Sequence, residues 1–172
     1  MAAFRWVLRV LAVLVLLPVF AYYGARLHDG PLGLIPGGPL EAGDVVTEPI
    51  ADWSFAKDTG EIELQLDARP QSRTVWFFVL DGNGFVPCSL GYPPGKIWHR
   101  QALVNGAARL RIDGKLYPVV LNKLDDTIVS QMSDRVRAEL TRKYGALPPR
   151  RERGIWLFQV TSHPAPASYA SH

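Results

Sequence analysis

Three kinds of hydrophobic spacing divide this chain. From Glu61 to Asp67, Ile62, Leu64 and Leu66 alternate with Glu61, Glu63, Gln65 and Asp67. A period of two predicts a strand with one buried and one solvated face. Ala108, Leu110 and Ile112 alternate with Arg109 and Arg111 in the same way. Thr74 to Leu80 is β-branched, aromatic or aliphatic throughout, which predicts a strand buried on both sides. A period of four appears once: Ile128, Met132, Val136, Leu140 and Tyr144, with Val129 widening the stripe, predict a core-facing helix over 127–144. Asp126 or Thr127 caps its start, and Gly145 ends it beside Arg142 and Lys143. The third pattern is unbroken: Val10 to Ala25 carries no charge, and the apolar run extends to Phe4 if Arg5 and Arg9 snorkel.

Turn residues connect these segments. Asp81-Gly82-Asn83-Gly84 predicts a turn, Phe85–Cys88 a return strand, and Ser89–Gly95 a Gly/Pro loop. A short helix carrying Lys96, Trp98, His99 and Arg100 follows. Asp113-Gly114 is a two-residue hairpin turn, with Lys115–Leu121 returning and Pro118 expected at an edge or a bulge. Val45–Phe55 reads as a first strand pair around Ile50, Trp53 and Phe55, and Gly154–Thr161 as a closing strand. Short, closely spaced strands with one or two helices predict a mainly β domain with α, a small barrel of about six to eight strands under helical cover. The expected organisation is an anchor or signal sequence over 1–27, a Gly/Pro-rich linker or surface strap over 28–44, the barrel over 45–161, and a disordered tail over 162–172.

The apolar run changes what the net charge means. Arg5 and Arg9 go with its N-terminal flank, so the remaining 17 basic residues face 16 acidic ones. A nearly neutral domain lacks the clustered basic face of a nucleic-acid binder, and Arg150-Arg151-Glu152-Arg153 reads as a solvated loop. Both basic residues precede the run, which predicts a cytoplasmic N-terminus and an extracytoplasmic domain on a bacterial-type inner membrane. The alternative is export with cleavage near Val19-Phe20-Ala21. The single cysteine, Cys88, excludes an intrachain disulfide and multi-cysteine metal sites.

Catalytic motifs are missing. Gly91–Lys96 is one residue short of a P-loop, and Ile97 stands where Ser or Thr would meet magnesium. No G-x-S-x-G elbow occurs, and His28, His99, His163 and His172 lack metal-ligand spacing. What remains is a set of cations beside flat aromatic surface: Arg73, Lys96, Trp98, His99 and Arg100. The stretch from Arg73 to Ile112 resembles the split β-barrel of the pyridoxamine-phosphate oxidase and deazaflavin-dependent nitroreductase superfamily. It has an arginine opening a buried strand, a turn and return strand, a loop ending in lysine, and a helix.

That resemblance implies a split β-barrel binding FMN or a deazaflavin, with Arg73 and Lys96 on the cofactor phosphate, Thr74 or Ser89 donating hydroxyls, and Trp98 bordering the ring. His99 and Arg100 lie on the same helix; no residue is singled out as a proton donor, and His99 and Tyr117 are only chemically capable of it. It also implies reduction of a small organic acceptor and a homodimer sharing the cofactor. The pattern departs at Pro87-Cys88, where the oxidases carry Tyr-Thr, and at Arg100, where the nitroreductases carry Asn. The competing expectation is a non-catalytic, membrane-anchored envelope domain that binds a small ligand or a partner. Its Arg73, Lys96 and Arg100 are then surface charges that point apart.

Overall fold

The structure, a computed structural model, describes residues 2–145 and 154–163. The expected Arg150–Arg153 loop and most of the tail lie outside them. Helix α1 (Ala2–Ala25) is followed by strands β1 (Asp44–Val45), β2 (Glu61–Leu66), β3 (Ser72–Trp76), β4 (Phe78–Leu80) and β5 (Asn83–Ser89). Then come α2 (Trp98–Val104), β6 (Ala107–Ile112), β7 (Lys115–Lys123), α3 (Asp126–Gln131), α4 (Ser133–Tyr144) and β8 (Ile155–Ser162). Within α1, Phe4–Ala25 is long and apolar enough to cross a membrane. At about 1.5 Å per residue its length matches a hydrocarbon layer of roughly 30 Å.

The fold class is the expected one, mainly β with α. All eight strands join one sheet in the order β3-β2-β6-β7-β8-β5-β4, antiparallel throughout except that β1 pairs in parallel with β7. The ladder does not close, yet its two end strands are neighbours in the chain. Ser72–Trp76 pairs with β2, and Phe78–Leu80 pairs with β5. The expected continuous strand over 74–80 therefore breaks at Phe77, where the chain changes partners and curls the sheet onto itself. Ile62, Leu64, Val75, Val86, Leu110, Val119, Phe158 and Val160 then share a single core.

Helix α4 closes that seam. Lys143 Nζ donates to the carbonyls of Thr59 (2.6 Å) and Phe77 (3.2 Å). The Tyr144 hydroxyl accepts the Phe77 N–H at 3.0 Å and faces the carbonyls of Gly60 and Phe77, donating its one hydrogen to either. Val136 and Leu140 are buried beneath it with Phe78, Phe85 and Leu157. Burial pushes the Tyr144 pKa up to about 12. A raised value means that the fold accommodates the neutral phenol. The contribution is whole below pH 10, the ordinary value, and disappears as pH rises through about 12. Tyr144→Phe is expected to cost about 1–3 kcal/mol at pH 7. It should also flatten the decline in urea midpoint between pH 10 and 12; an unchanged alkaline slope would count against the seam contact.

Both Asp-Gly turns form with positive φ at each residue: Asp81 (51°) and Gly82 (74°), Asp113 (49°) and Gly114 (77°). The first is shorter than expected. Asn83 and Gly84 already belong to β5, and Gly84 leaves room for Phe77 and Trp53, whose rings would lie 2.9–3.2 Å from an added Cβ. Pro87 also sits inside β5, on the half that β4 does not reach. Pro118 occupies β7 between the residues paired with β1 and those paired with β8; its carbonyl accepts from His163, so its missing N–H faces that gap. The expected strand pair over 45–55 is a two-residue strand, an irregular stretch through Pro49, and a 3₁₀ turn at Ser54–Ala56. Trp53 still reaches the core, while Phe55 stays exposed against Tyr117. The helix expected over 127–144 divides at Met132, and Asp125 caps it by accepting the Thr127 N–H at 2.8 Å.

Candidate functional site

The polar faces of β2 and β6 look solvated in sequence, but residues 28–44 lie across them. Arg111 Nε meets Glu63 Oε2 at 2.5 Å, and its Nη1 meets both Asp29 carboxylate oxygens at 2.9 and 3.0 Å. Asp29 in turn accepts the N–H groups of Glu41 and Ala42. Gln65, fully buried, accepts the Leu40 N–H at 2.6 Å, and Arg109 donates to the Leu40 carbonyl. Ser72 Oγ donates to Gly38 O, and Gly37 packs so closely on the Gly30 backbone that no side chain fits. The strap fixes the sheet to the end of α1. Ala25 is buried, and three residues separate it from Asp29, a reach of at most about 14 Å.

The expected ligand residues separate into distinct environments. Thr74 points outward and donates to Gly33 O at 2.9 Å, holding the strap. Arg73, its neighbour, shares the inward side of β3 with Val75, opposite Leu64. Its Nε is buried with no hydrogen-bond partner, and its side chain has no ion pair among the described residues. Burial pulls the guanidinium pKa down to about 10, and proximity to Cys88 offsets only part of this. Ser89 ends β5 and is exposed; its carbonyl, not its hydroxyl, is engaged. Lys96 Nζ donates to the backbone carbonyls of Ser89 and Tyr92, so it ties the loop together. Burial raises the pKa of Cys88, against the opposing pull of Lys96 and Arg73. Lys96 and Arg73 are therefore both close enough to act on Cys88.

Helix α2 covers this end of the sheet. Trp98 is buried 5.4 Å from the Phe158 ring, and Ala102 fills the core beside it. Trp98 is thus a core residue, not a flat surface offered to a ligand. His99 is buried edge-on to Trp156 at 5.2 Å, with no partner for Nδ1. Burial, aided by Lys96 and Arg100, lowers its pKa, so the ring is neutral at pH 7. Arg100 is exposed, with no side-chain hydrogen bond or ion pair among the described residues. Tyr117 lies away from this group, between Trp53 and Phe55.

Shape limits what the group can hold. The two best-formed depressions, of about 250 and 230 Å³, lie along α1 and at the outer edge near Thr59 and Gly114. Neither touches Arg73, Lys96 or α2. Among the described residues no three His, Cys, Asp or Glu side chains are placed to hold a metal ion. Arg73 has no carboxylate beside it among the described residues, and neither depression would set a tricyclic ring against it. Sequence reading missed Asp29, Glu63, Gln65, Arg109 and Arg111 as a lock. The available signal was the uncharged Gly/Pro segment preceding a strand pair whose polar faces carry opposite charges. No protein-family model and no curated relative matches the chain.

Proposed function

We propose that this chain is a membrane-anchored, extracytoplasmic domain that binds a small anionic ligand through Arg73, at the end of the sheet covered by α2. One observation carries the reading: a mostly buried guanidinium with no carboxylate beside it among the described residues. Each pH unit of pKa displacement is worth about 1.4 kcal/mol, so a guanidinium lowered from 12.5 to about 10 holds its charge at a cost of roughly 3 kcal/mol. An anion relieves that cost through bidentate hydrogen bonds. Positive residues at the start of α1 support an N-terminus in the cytoplasm and the sheet outside it.

The flavin or deazaflavin reductase reading uses the same arginine on a cofactor phosphate. Its further contacts lack support, because Lys96 is committed to carbonyls and Trp98 to the core. We derive no redox step from it. A ring held between two copies of the chain is the form of that reading that a homodimer would allow.

The test is thermal unfolding of the detergent-solubilised chain with phosphate, FMN or a deazaflavin cofactor. Anion stabilisation of about 2.7 kcal/mol is expected at a hundredfold excess over Kd, and Arg73→Met should abolish it. Without ligand, Arg73→Met should be more stable than the parent chain by up to about 3 kcal/mol, because a buried lone charge has been removed. Stabilisation by FMN and not by phosphate would favour the flavin reading. No shift with any anion at millimolar concentration would remove the ligand-binding proposal altogether.

A further inference from the structure

We infer that Leu27 and the Leu32–Ile35 turn form a second membrane contact, an apolar tip seated in the headgroup layer of the bilayer that α1 crosses. The inference rests on the anchored reading of α1. Leu27 is 91% exposed and Leu34 87%, while Leu32 and Ile35 are 45% and 41% exposed. Isolated exposed leucines are ordinary on protein surfaces. These four fall within nine consecutive residues that begin two positions after the end of α1.

The tip is built rather than left over. Leu32 and Ile35 exchange both backbone hydrogen bonds at 3.0 Å, and Gly33 takes the positive φ (59°) that the turn requires. Thr74 Oγ1 then holds the Gly33 carbonyl from β3. At the base, Gly38 N–H bonds to His28 O at 2.9 Å, so the strap folds back beside the helix end. Residues 30–40 contain no charged side chain, so inserting the tip desolvates none. Arg26 and Tyr22, hydrogen-bonded to each other on the last turns of the helix, are residue types that favour the interface. Leu34 is four residues from Gly30 and can extend at most about 14 Å from it, enough to enter a polar layer roughly 5–8 Å thick. The occupant that fits is therefore lipid, because the tip follows directly on the apolar helix α1 and its own stretch, 30–40, brings no charged side chain.

The test uses the full chain in phosphatidylcholine vesicles, with an environment-sensitive fluorophore on Leu34→Cys. Cys88 is 2% exposed and is either left unlabelled or replaced by alanine, so misfolding of one background leaves the other. Labels at Leu14→Cys, within α1, and Ala138→Cys, on the charged face of α4, set the two limits. The expected result is blue-shifted emission at position 34, quenched by brominated lipid at least half as strongly as at position 14, with position 138 unaffected. A label at 34 as water-exposed as that at 138 overturns the inference while leaving the anchor intact. A blue shift without lipid quenching also overturns it and points to a second copy covering the tip. Absence of quenching at 14 defeats the anchored reading and this inference with it.

Discussion

Trp98→Ala is expected to destabilise the domain by about 3–5 kcal/mol, the usual cost of truncating a buried tryptophan. Domains of this size are stable by only about 5–15 kcal/mol, so the loss is a large share of the total. The indole is 5% exposed and contacts the Phe158 ring from the first position of α2. A helix of seven residues cannot sustain itself in water and depends on the core contacts it makes. Trp98 and Ala102 are its two apolar contributions to that core. Urea unfolding, followed by fluorescence of the remaining tryptophans, measures the cost. If Trp98 instead bordered a cofactor ring, the substitution would leave the midpoint nearly unchanged and weaken FMN binding. The two readings thus predict opposite pairs of results.

Arg111→Met should cost somewhat less, about 1.5–3 kcal/mol, because it leaves two partly exposed carboxylates without their shared cation. The Arg111 side chain is 14% exposed and joins Glu63 on β2 to Asp29 at the start of the strap. Hydrogen exchange at the Glu41 and Ala42 amides, both bound to Asp29, should accelerate before the sheet amides respond. The lock also predicts a pH dependence. Burial alone would raise the Asp29 pKa, but the Glu41 and Ala42 N–H groups and Arg111 outweigh it and hold the carboxyl below its ordinary 3.8. A depressed acid stabilises above its unfolded pKa and ceases to as pH falls through the folded one. Strap protection should therefore be complete above about pH 4 and decline below it, with a shallower decline in Arg111→Met. Unchanged exchange at residues 41 and 42 in that variant would show that the strap is held by other contacts.

Much of this architecture was legible in the chain because local rules and tertiary structure agree. Ile62, Leu64 and Leu66 face inward as their spacing requires, and Asp113-Gly114 makes the turn that its composition favours. The seam was not legible. Phe77 resembles its neighbours in every local property, and only the positions of β2 and β5 decide that the strand changes partners there. The polar faces misled for a related reason. Glu63, Gln65, Arg109 and Arg111 satisfy the same alternation whether they meet water or the backbone of a strap, since both supply hydrogen bonds. The candidate site was half legible. Arg73 stands out in sequence as a cation opening an apolar strand, but its lack of a partner among the described residues is a property of the folded interior. Lys96 was attractive as a loop lysine, and only the conformation of 89–96 directs it onto two carbonyls.

The position of β8 has a consequence in time. Among the described strands it is the last in sequence and an inner one in space, lying between β7 and β5, with ladders to both. No earlier segment occupies that slot, so a chain emerging N-terminus first has two unfilled edges until Ile155–Ser162 arrive. Its decisive pairings also span the longest separations, such as Gly84 with Val160, which favours slow closure. If the sheet lies across the membrane as proposed, this order of events suits a chain that crosses as an extended polymer: the sheet cannot set until Ile155–Ser162 have passed through.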